Sequence, residues 1–502
     1  MHAPSPARNR AALAAACLSA LMLGLEISSI PAILPTLERA LPADFRQLQW
    51  IMNAYTIAMT TWLMAMGALA DRFGRKRVFM AGIVVFGLAS LACGVATSAP
   101  ALIAARFVQG SSGAAMLACQ IAVLSHQFQA GPERARAFAW WGVVFGAGLG
   151  FGPLVGGAIV AAATWPWVFL VHGGLAIATL GLARRGVVES ADPHAVRIDL
   201  AGLATLSATV FCLVFLITEG RIPGRDDPVG TGLALLGLAS LVAFVAVETR
   251  TARPMVDVSA FRHRAFSGAL LGASGMNFSF WPFVIYLPIH FQAVLGHDSL
   301  TAGLALLAYT LPTLVVPPVA ERLLLRHGPR RVIPLGLFTI GAGFLLMRTG
   351  AGFGSGLAML PGCLLAGIGL GLTNTPVTNT ATAALPVERA GMASGMDMSA
   401  RMISLALNIA VMGAILVRGI EAALGRALPG GSSGLRPLAE AVAAGDLGAG
   451  AAHGVTAALA RSALAQGFDG LMLYGAVCAC GLGALSLIVF GSAAARARTC
   501  HG

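Results

Sequence analysis

Three ionisable side chains, Glu26, Arg106 and His172, lie inside stretches of this chain that are otherwise apolar. Charge in such a stretch is costly and usually faces a cavity or a partner. The chemistry these residue types offer is proton chemistry. In general, burial favours the neutral acid and a nearby guanidinium favours the carboxylate, so a carboxyl balanced between them can take up and release a proton. Glu26 is then a proton-binding group beside a substrate cavity, with proton and a cationic or polar substrate competing for it. A second reading stands next to it: Glu26 and Arg106 form a static pair that fixes helix packing, and His172 is a hydrogen-bonded packing histidine.

The elements that position them are membrane helices. Of 502 residues, 57% are hydrophobic and 11% are charged, against about 25% charged in an average soluble protein. A helix crosses a bilayer with about 20 apolar residues. Fourteen such runs are predicted, near 12–34, 48–70, 78–97, 101–124, 136–161, 165–183, 199–218, 229–248, 266–292, 300–320, 332–348, 356–380, 395–418 and 469–491. The fold class is an all-α polytopic membrane protein. The first run has no convincing cleavage site and reads as an uncleaved span. Lys and Arg concentrate after even-numbered runs, with exceptions at Arg39/Arg46, Arg221/Arg225 and 419–468. That places both termini in the cytoplasm.

At 1.5 Å per residue, Glu26 lies roughly 21 Å into its span from the cytoplasm and Arg106 roughly 8 Å below the outer face. His172 lies at a similar depth, so the three share one layer. The net charge of +12 is scattered between spans, which reads as topogenic charge and not as a nucleic-acid surface. The eight cysteines have neither disulfide nor zinc spacing.

Residues 67–77, "GALADRFGRKR", place Gly67, Asp71, Arg72, Gly74, Arg75, Lys76 and Arg77 between the second and third spans. Gly74 suits a tight reversal, and the basic residues suit an anionic inner leaflet. Asp71 weakens such an anchor and so calls for a further role. A weaker copy, "ERLLLRHGPRRVI" at 321–333, aligns Gly328 on Gly74 and Arg330/Arg331 on Lys76/Arg77. Repeated bundles with a midplane site between them are a transporter architecture. The chain is divided accordingly: 1–185, a six-helix bundle; 186–263, two inserted helices; 264–502, a second six-helix bundle with a long outer loop at 419–468. That loop lies outside or hides a re-entrant segment. In span 5, "GLGFGPLVGG" sets Gly148, Gly152, Pro153, Gly156 and Gly157 in one helix. The proline permits a bend and the glycines permit close helix approach, a combination suited to a hinge that seals against leak.

These motifs, with "AARFVQGSSGAA" (104–115), "QWIMNAY" (49–55) and "ERAGMASGM" (388–396), resemble those of the major facilitator superfamily, specifically the fourteen-span EmrB/QacA-type drug:proton antiporters. The resemblance covers nearly the whole chain. It implies the major facilitator fold with fourteen helices and proton-coupled export by alternating access. It also implies a cytosolic latch from Asp71 to the helix beginning near Ser394, and a coupling role for Arg106. The span-5 motif is similar to that of exporters, not uptake symporters. Two departures stand out. The family's first span usually carries Asp where Glu26 stands, with Asn where Pro31 stands. After Trp165-x-Trp167-x-Phe169 it usually has Asn and then Pro, where this chain has His172 and Gly174.

Asn277, Asn374, Thr375, Asn379 and Asn408 are neutral polar candidates in the second bundle, and Phe278, Phe280, Trp281 and Tyr309 are aromatic ones. Asp397 and Asp469 fall at predicted span ends, which leaves Glu26 as the deep acid and favours neutral, zwitterionic or monovalent substrates. No phosphate loop or metal cluster is read, so the expected chain is not an enzyme, needs no cofactor and draws on the proton motive force. The partners implied are small amphipathic substrates, protons and the bilayer of a bacterial inner membrane. In a two-membrane envelope a periplasmic adaptor joins them. A dedicated exporter of one metabolite and a non-transporting sensor are the alternatives.

Overall fold

The computed structural model describes residues 6–128, 132–191, 200–218, 227–250, 258–384, 390–428, 435–450 and 454–491. The described residues are helical almost throughout. In chain order the helices are α1 (Pro6–Ala32), α2 (Leu34–Ala40), α3 (Phe45–Phe73), α4 (Arg75–Gly94), α5 (Ala99–Gln127), α6 (Pro132–Ala162), α7 (Pro166–Gly186), α8 (Leu200–Thr218) and α9 (Pro228–Arg250). They continue as α10 (Arg264–Asn277), α11 (Phe280–Ile289), α12 (Ser299–Thr310), α13 (Pro312–Val315), α14 (Pro317–His327), α15 (Pro329–Ala351), α16 (Gly356–Ala383), α17 (Ala390–Ala427), α18 (Arg436–Ala444) and α19 (Ala457–Phe490). Among the described residues eleven helices are long and apolar enough to cross a membrane, or twelve if a bent pair counts as one span. That pair, Ser299–Val315 with Pro317–His327, bends by 46°. Pro317 and Pro318 supply the cause, since each removes a backbone donor.

Packing follows two groups. Helices α1, α3, α4, α5, α6 and α7 pack among themselves, as do α10, α15, α16, α17 and α19. The groups meet along two seams. At one, α6 lies on α12 and α1 on α11. At the other, α3 lies on α17. The pair α8–α9 stands outside that second seam, with α8 touching both α3 and α17. There Trp50 meets Phe211 and Phe215 at ring separations of 6.0 and 5.9 Å, and Ile57, Val210, Val214, Ala406 and Ala410 bury one another.

Three expectations need correction. The ninth run is not one helix: α10 ends at Asn277, Phe278 and Ser279 break it, and α11 runs into a π-turn at His290–Val294. The tenth is broken by its prolines. The long outer loop at 419–468 is mostly helix, because α17 continues to Ala427 and α19 begins at Ala457, twelve residues before the predicted start of span 14. Alanine-rich sequence propagates a helix well beyond the bilayer, and a hydropathy window does not register that. Within 436–463, α18 takes the first nine residues and the start of α19 the last seven. Hence Asp397 and Asp469 lie inside helices, and neither marks an end.

Candidate functional site

The three ionisable residues converge. Glu26 of α1, Arg106 of α5 and His172 of α7 have side chains 0%, 0% and 1% exposed. Arg106 Nη1 donates to Glu26 Oε1 and to Gln109 Oε1 at 2.7 Å. Its Nε donates to the Ile51 carbonyl of α3 at 3.1 Å, and its guanidinium lies 4.4 Å over the Tyr55 ring. Gln109 Nε2 donates to Ser90 Oγ of α4 at 2.8 Å. His172 Nε2 lies 3.5 Å from Glu26 Oε2 and 3.3 Å from the Met22 carbonyl. Its Nδ1 lies 3.1 Å from the Val168 carbonyl. Five helices therefore converge on one charged centre.

Small residues make the convergence possible. A methyl at Gly110 would strike the Tyr55 backbone, so only glycine lets α5 come close enough for Arg106 to reach the Ile51 carbonyl. The centre is incompletely paired. Glu26 Oε2, Arg106 Nη2 and Tyr55 Oη are buried without a hydrogen-bond partner. Unmet groups of this kind are expensive in an apolar interior, and at functional sites they often mark where a proton, water or ligand is handled.

The span-5 residues sit beside this centre. Gly148, Gly152 and Gly156 form one face of α6 laid on α1: Cβ atoms there would meet the Leu21 carbonyl, the Ser28 hydroxyl and the Ser29 carbonyl. Ser28 Oγ donates to the Gly148 carbonyl at 3.1 Å. Gly157 faces the other group of helices, where a Cβ would lie 2.5 Å from the Ser299 carbonyl. Thr310 Oγ1 donates to the Gly150 carbonyl at 2.6 Å. Pro153 lies inside an unbroken α6, and its carbonyl faces Gly303 of α12. The motif thus works as a close-packing face shared by α1 and α12.

In the signature turn, Gly74 adopts φ +108° between α3 and α4. A partner the sequence did not reveal holds this turn. Glu189 Oε1 accepts from the Lys76 backbone N–H at 3.0 Å, and its other oxygen is 3.6 Å from Arg77 Nε. Arg75 N donates to the Ser190 carbonyl at 2.8 Å, and Lys76 Nζ to the Arg184 carbonyl at 2.8 Å. The signal was a lone acid after Arg184 and Arg185. Gly67 packs loosely on Ala118, and Arg72 is exposed. The side chains of Asp71 and Ser394, and with them the expected latch, lie outside the described residues. Tyr55, Gln109 and Ser90 were also missed as site residues, although Tyr55 and Gln109 stood within quoted motifs.

The second group of helices holds a different polar centre. Arg401 donates to both Asp397 oxygens, at 3.1 and 3.0 Å, and to Asn374 and Thr378. Asp397 is 2% exposed, so Glu26 is not the one deep acid. Asn408 Nδ2 donates to the Asn277 carbonyl at 2.9 Å, and Tyr474 Oη donates to Asn408 Oδ1 at 2.7 Å. Phe280 stacks on Tyr309 at 3.9 Å. Asp469 pairs with Arg348 on an exposed face.

At one edge the two groups are tied together. Arg46 Nη2 and Arg436 Nε each lie 3.0 Å from Glu440 Oε1, Gln292 Nε2 donates to the Ala32 carbonyl at 3.2 Å, and Gln49 Nε2 of α3 donates to the Ile409 carbonyl of α17 at 3.3 Å. Nearby, burial and the Asp446 carboxylate push the Glu38 carboxyl up from 4.5 to about 7, with Arg39 opposing them.

The family model of the Major Facilitator Superfamily matches residues 16–408. Multidrug resistance protein Stp of Mycobacterium tuberculosis is 31% identical over 412 residues, covering 82% of this chain and 76% of that protein. Puromycin resistance protein pur8 of Streptomyces alboniger is 31% identical, covering 79% of each chain. Cephamycin export protein CmcT of Amycolatopsis lactamdurans is 33% identical, covering 80% of this chain and 84% of its own. In fold, the chain is similar to the human organic anion transporter MFSD10, with a TM-score of 0.60 at 15% identity, over 97% of this chain and 100% of the other. On the match of its helices, motifs and sequence, this multi-span membrane protein belongs to the major facilitator superfamily.

Proposed function

We propose that this transporter exports amphipathic small molecules across a bacterial cytoplasmic membrane in exchange for protons, by alternating access. The observation that carries the reading is the sealed centre of Glu26, Arg106 and His172. A carboxyl joined to a guanidinium and left with one unpartnered oxygen is equipped to hold and release a proton. The span-5 motif supports the export direction by its similarity to that of exporters, and its Gly157 lies at the α6–α12 seam where the halves must part. The relatives named for drug resistance and antibiotic export support the substrate class.

The fourteen-span count belongs to this proposal. The twelve candidate spans gain α3, 29 residues long, and α8, 19 residues long. The two helix groups are the two bundles, α8–α9 are the inserted pair, and both termini face the cytoplasm. Energy comes from the proton motive force with no cofactor. A periplasmic adaptor is a further partner where the envelope has two membranes. Asp397 is neutralised by Arg401, so Glu26 keeps its place as the group open to a cationic or zwitterionic substrate.

The test is ethidium efflux in inside-out vesicles, with internal pH read by a fluorescent dye. Wild type moves ethidium in exchange for protons. Glu26→Gln, at equal protein level, loses that exchange. Unchanged exchange in Glu26→Gln ends the reading. A second reading, a dedicated exporter of one compound, is favoured by relatives named for a single antibiotic. It gains if wild type moves one secreted metabolite and no dye. A well-folded chain that moves neither is a sensor.

A further inference from the structure

We propose that in this chain the transported proton is shared by Glu26 and His172, and that its presence or absence sets how α7 packs on α1. The inference rests on the reading of Glu26 as the proton carrier and adds a second proton-holding residue to it.

Glu26 and His172 meet across the contact between α1 and α7. His172 Nε2 faces two oxygens of α1, Glu26 Oε2 at 3.5 Å and the Met22 carbonyl at 3.3 Å. Its Nδ1 faces the Val168 carbonyl of its own helix at 3.1 Å. Every near neighbour of the ring nitrogens is thus an oxygen.

A neutral imidazole has one N–H and one lone pair. With Glu26 ionised and Nδ1–H given to Val168, its Nε2 lone pair faces the lone pairs of Glu26 Oε2 and the Met22 carbonyl. Two protonation states relieve the contact with Glu26. In one, an imidazolium donates from Nδ1 to Val168 and from Nε2 to the Glu26 carboxylate and Met22. In the other, the proton crosses from Nε2 to Glu26 Oε2: the carboxylate becomes a carboxylic acid, the imidazolium becomes neutral, and Oε2–H donates back to Nε2. Proton count is the same in both. When the proton leaves altogether, the Nε2 contact becomes repulsive or the ring must turn and lose Val168. Since Nε2 reaches α1 while Nδ1 stays within α7, the loss falls on the contact between the helices.

Other titratable or charged groups facing the pair are Arg106 of α5, Tyr55 of α3 and Cys93 of α4. Arg106 engages Oε1 and leaves Oε2 to the histidine. From α6, the glycine face and the apolar Trp141 and Phe145 pack on this side, and none of them titrates. Glu26 Oε2 accepts no hydrogen bond in this arrangement, so it is open to take or yield the shared proton.

The test needs no substrate. The full chain is purified into nanodiscs with 15N-labelled histidine, and its ring nitrogens are followed by NMR from pH 5 to 9. His172→Asn identifies the His172 signal among the ten histidines. The protonated-carboxyl infrared band is followed in parallel, with Glu26→Gln to assign it. The His172 ring and the Glu26 band are expected to change over the same pH interval, and the band is expected to shift to a different interval in His172→Asn. A His172 ring that stays in one form while Glu26 titrates alone overturns the inference and leaves Glu26 as carrier. So does a Glu26 band whose interval is the same with His172→Asn. If neither group changes, the inference and the proton-carrier reading fall together.

Discussion

The two helix groups each bury a charged centre, and the two centres are built in opposite ways. In the N-terminal half the buried polar centre joins five helices through Glu26, Arg106 and His172, and buried atoms remain unpartnered. In the C-terminal half Arg401 and Asp397 are four residues apart on one helix, and Arg401 is further bound by Asn374 and Thr378. The first centre is stretched between helices and sensitive to their spacing. The second pairs its charges within α17 and bridges from there to α16 alone. The connecting turns differ in the same sense. Gly74 and Gly328 both take positive φ, +108° and +75°, yet Glu189 ties down the first while a Cβ at the second would meet nothing within 4 Å. The difference teaches that the two helix groups share a glycine turn of like geometry, while the charged centre that joins five helices and the tethered turn both belong to the first.

The largest effect expected from breaking this asymmetry is Arg106→Leu. It strands Glu26 without its cation and should lower stability in detergent by about 3–5 kcal/mol, the usual result of removing one partner of a buried pair. Arg401→Leu should cost less, about 1–3 kcal/mol, because its side chain is 10% exposed where that of Arg106 is 0%, so water can replace part of the hydrogen bonding lost to Asp397 and to Asn374 and Thr378 of α16. Thermal unfolding of both variants checks the order, and equal losses would erase the distinction between the centres.

Next come the turns. Gly74→Ala forces a side chain into a region nearly exclusive to glycine, at about 1–3 kcal/mol, and a methyl there would also displace Glu189 from 2.6 Å. Gly328→Ala meets the backbone cost alone, so it should be the milder change in the same measurement.

The smallest effect is one of pH. Glu38 is raised from 4.5 to about 7 in the tied arrangement, whereas in water it returns towards the ordinary value. Its contribution to keeping this edge closed is therefore complete below 4.5 and is lost as pH rises through about 7. Spin labels at Arg46 and Glu440 should report a longer separation at pH 8 than at pH 5, and Glu38→Gln should flatten that change.

Much of the site was legible because charge inside apolar runs is conspicuous. Glu26, Arg106 and His172 were identifiable as one layer from helix rise alone, and the glycine register of span 5 foretold a close-packed face. Pairing was not legible. Nothing in sequence spacing shows that Glu189 folds back on Gly74, or that Asp397 reaches Arg401 within a helix instead of marking its end. Helix ends in alanine-rich segments also escaped, since 457–468 is helical by propensity and carries no apolar run of its own to reveal it. Hydropathy is blind to the breaks at Phe278–Ser279 and Val316, and at the second the signal lay in Pro317 and Pro318.

The inserted pair α8–α9 has a mechanical consequence. Because α8 grips α3 and α17 together, it acts as a strap across one edge, and the opposite edge, where Gly157 abuts Ser299, has no such binding. Under the alternating access proposed above, the halves open like a book with one sewn spine. The α3–α17 edge pivots with small displacement, and the α6–α12 edge sweeps the wider arc. A label pair spanning Gly157 and Ser299 should therefore move more during turnover than one spanning Ile57 and Ala406.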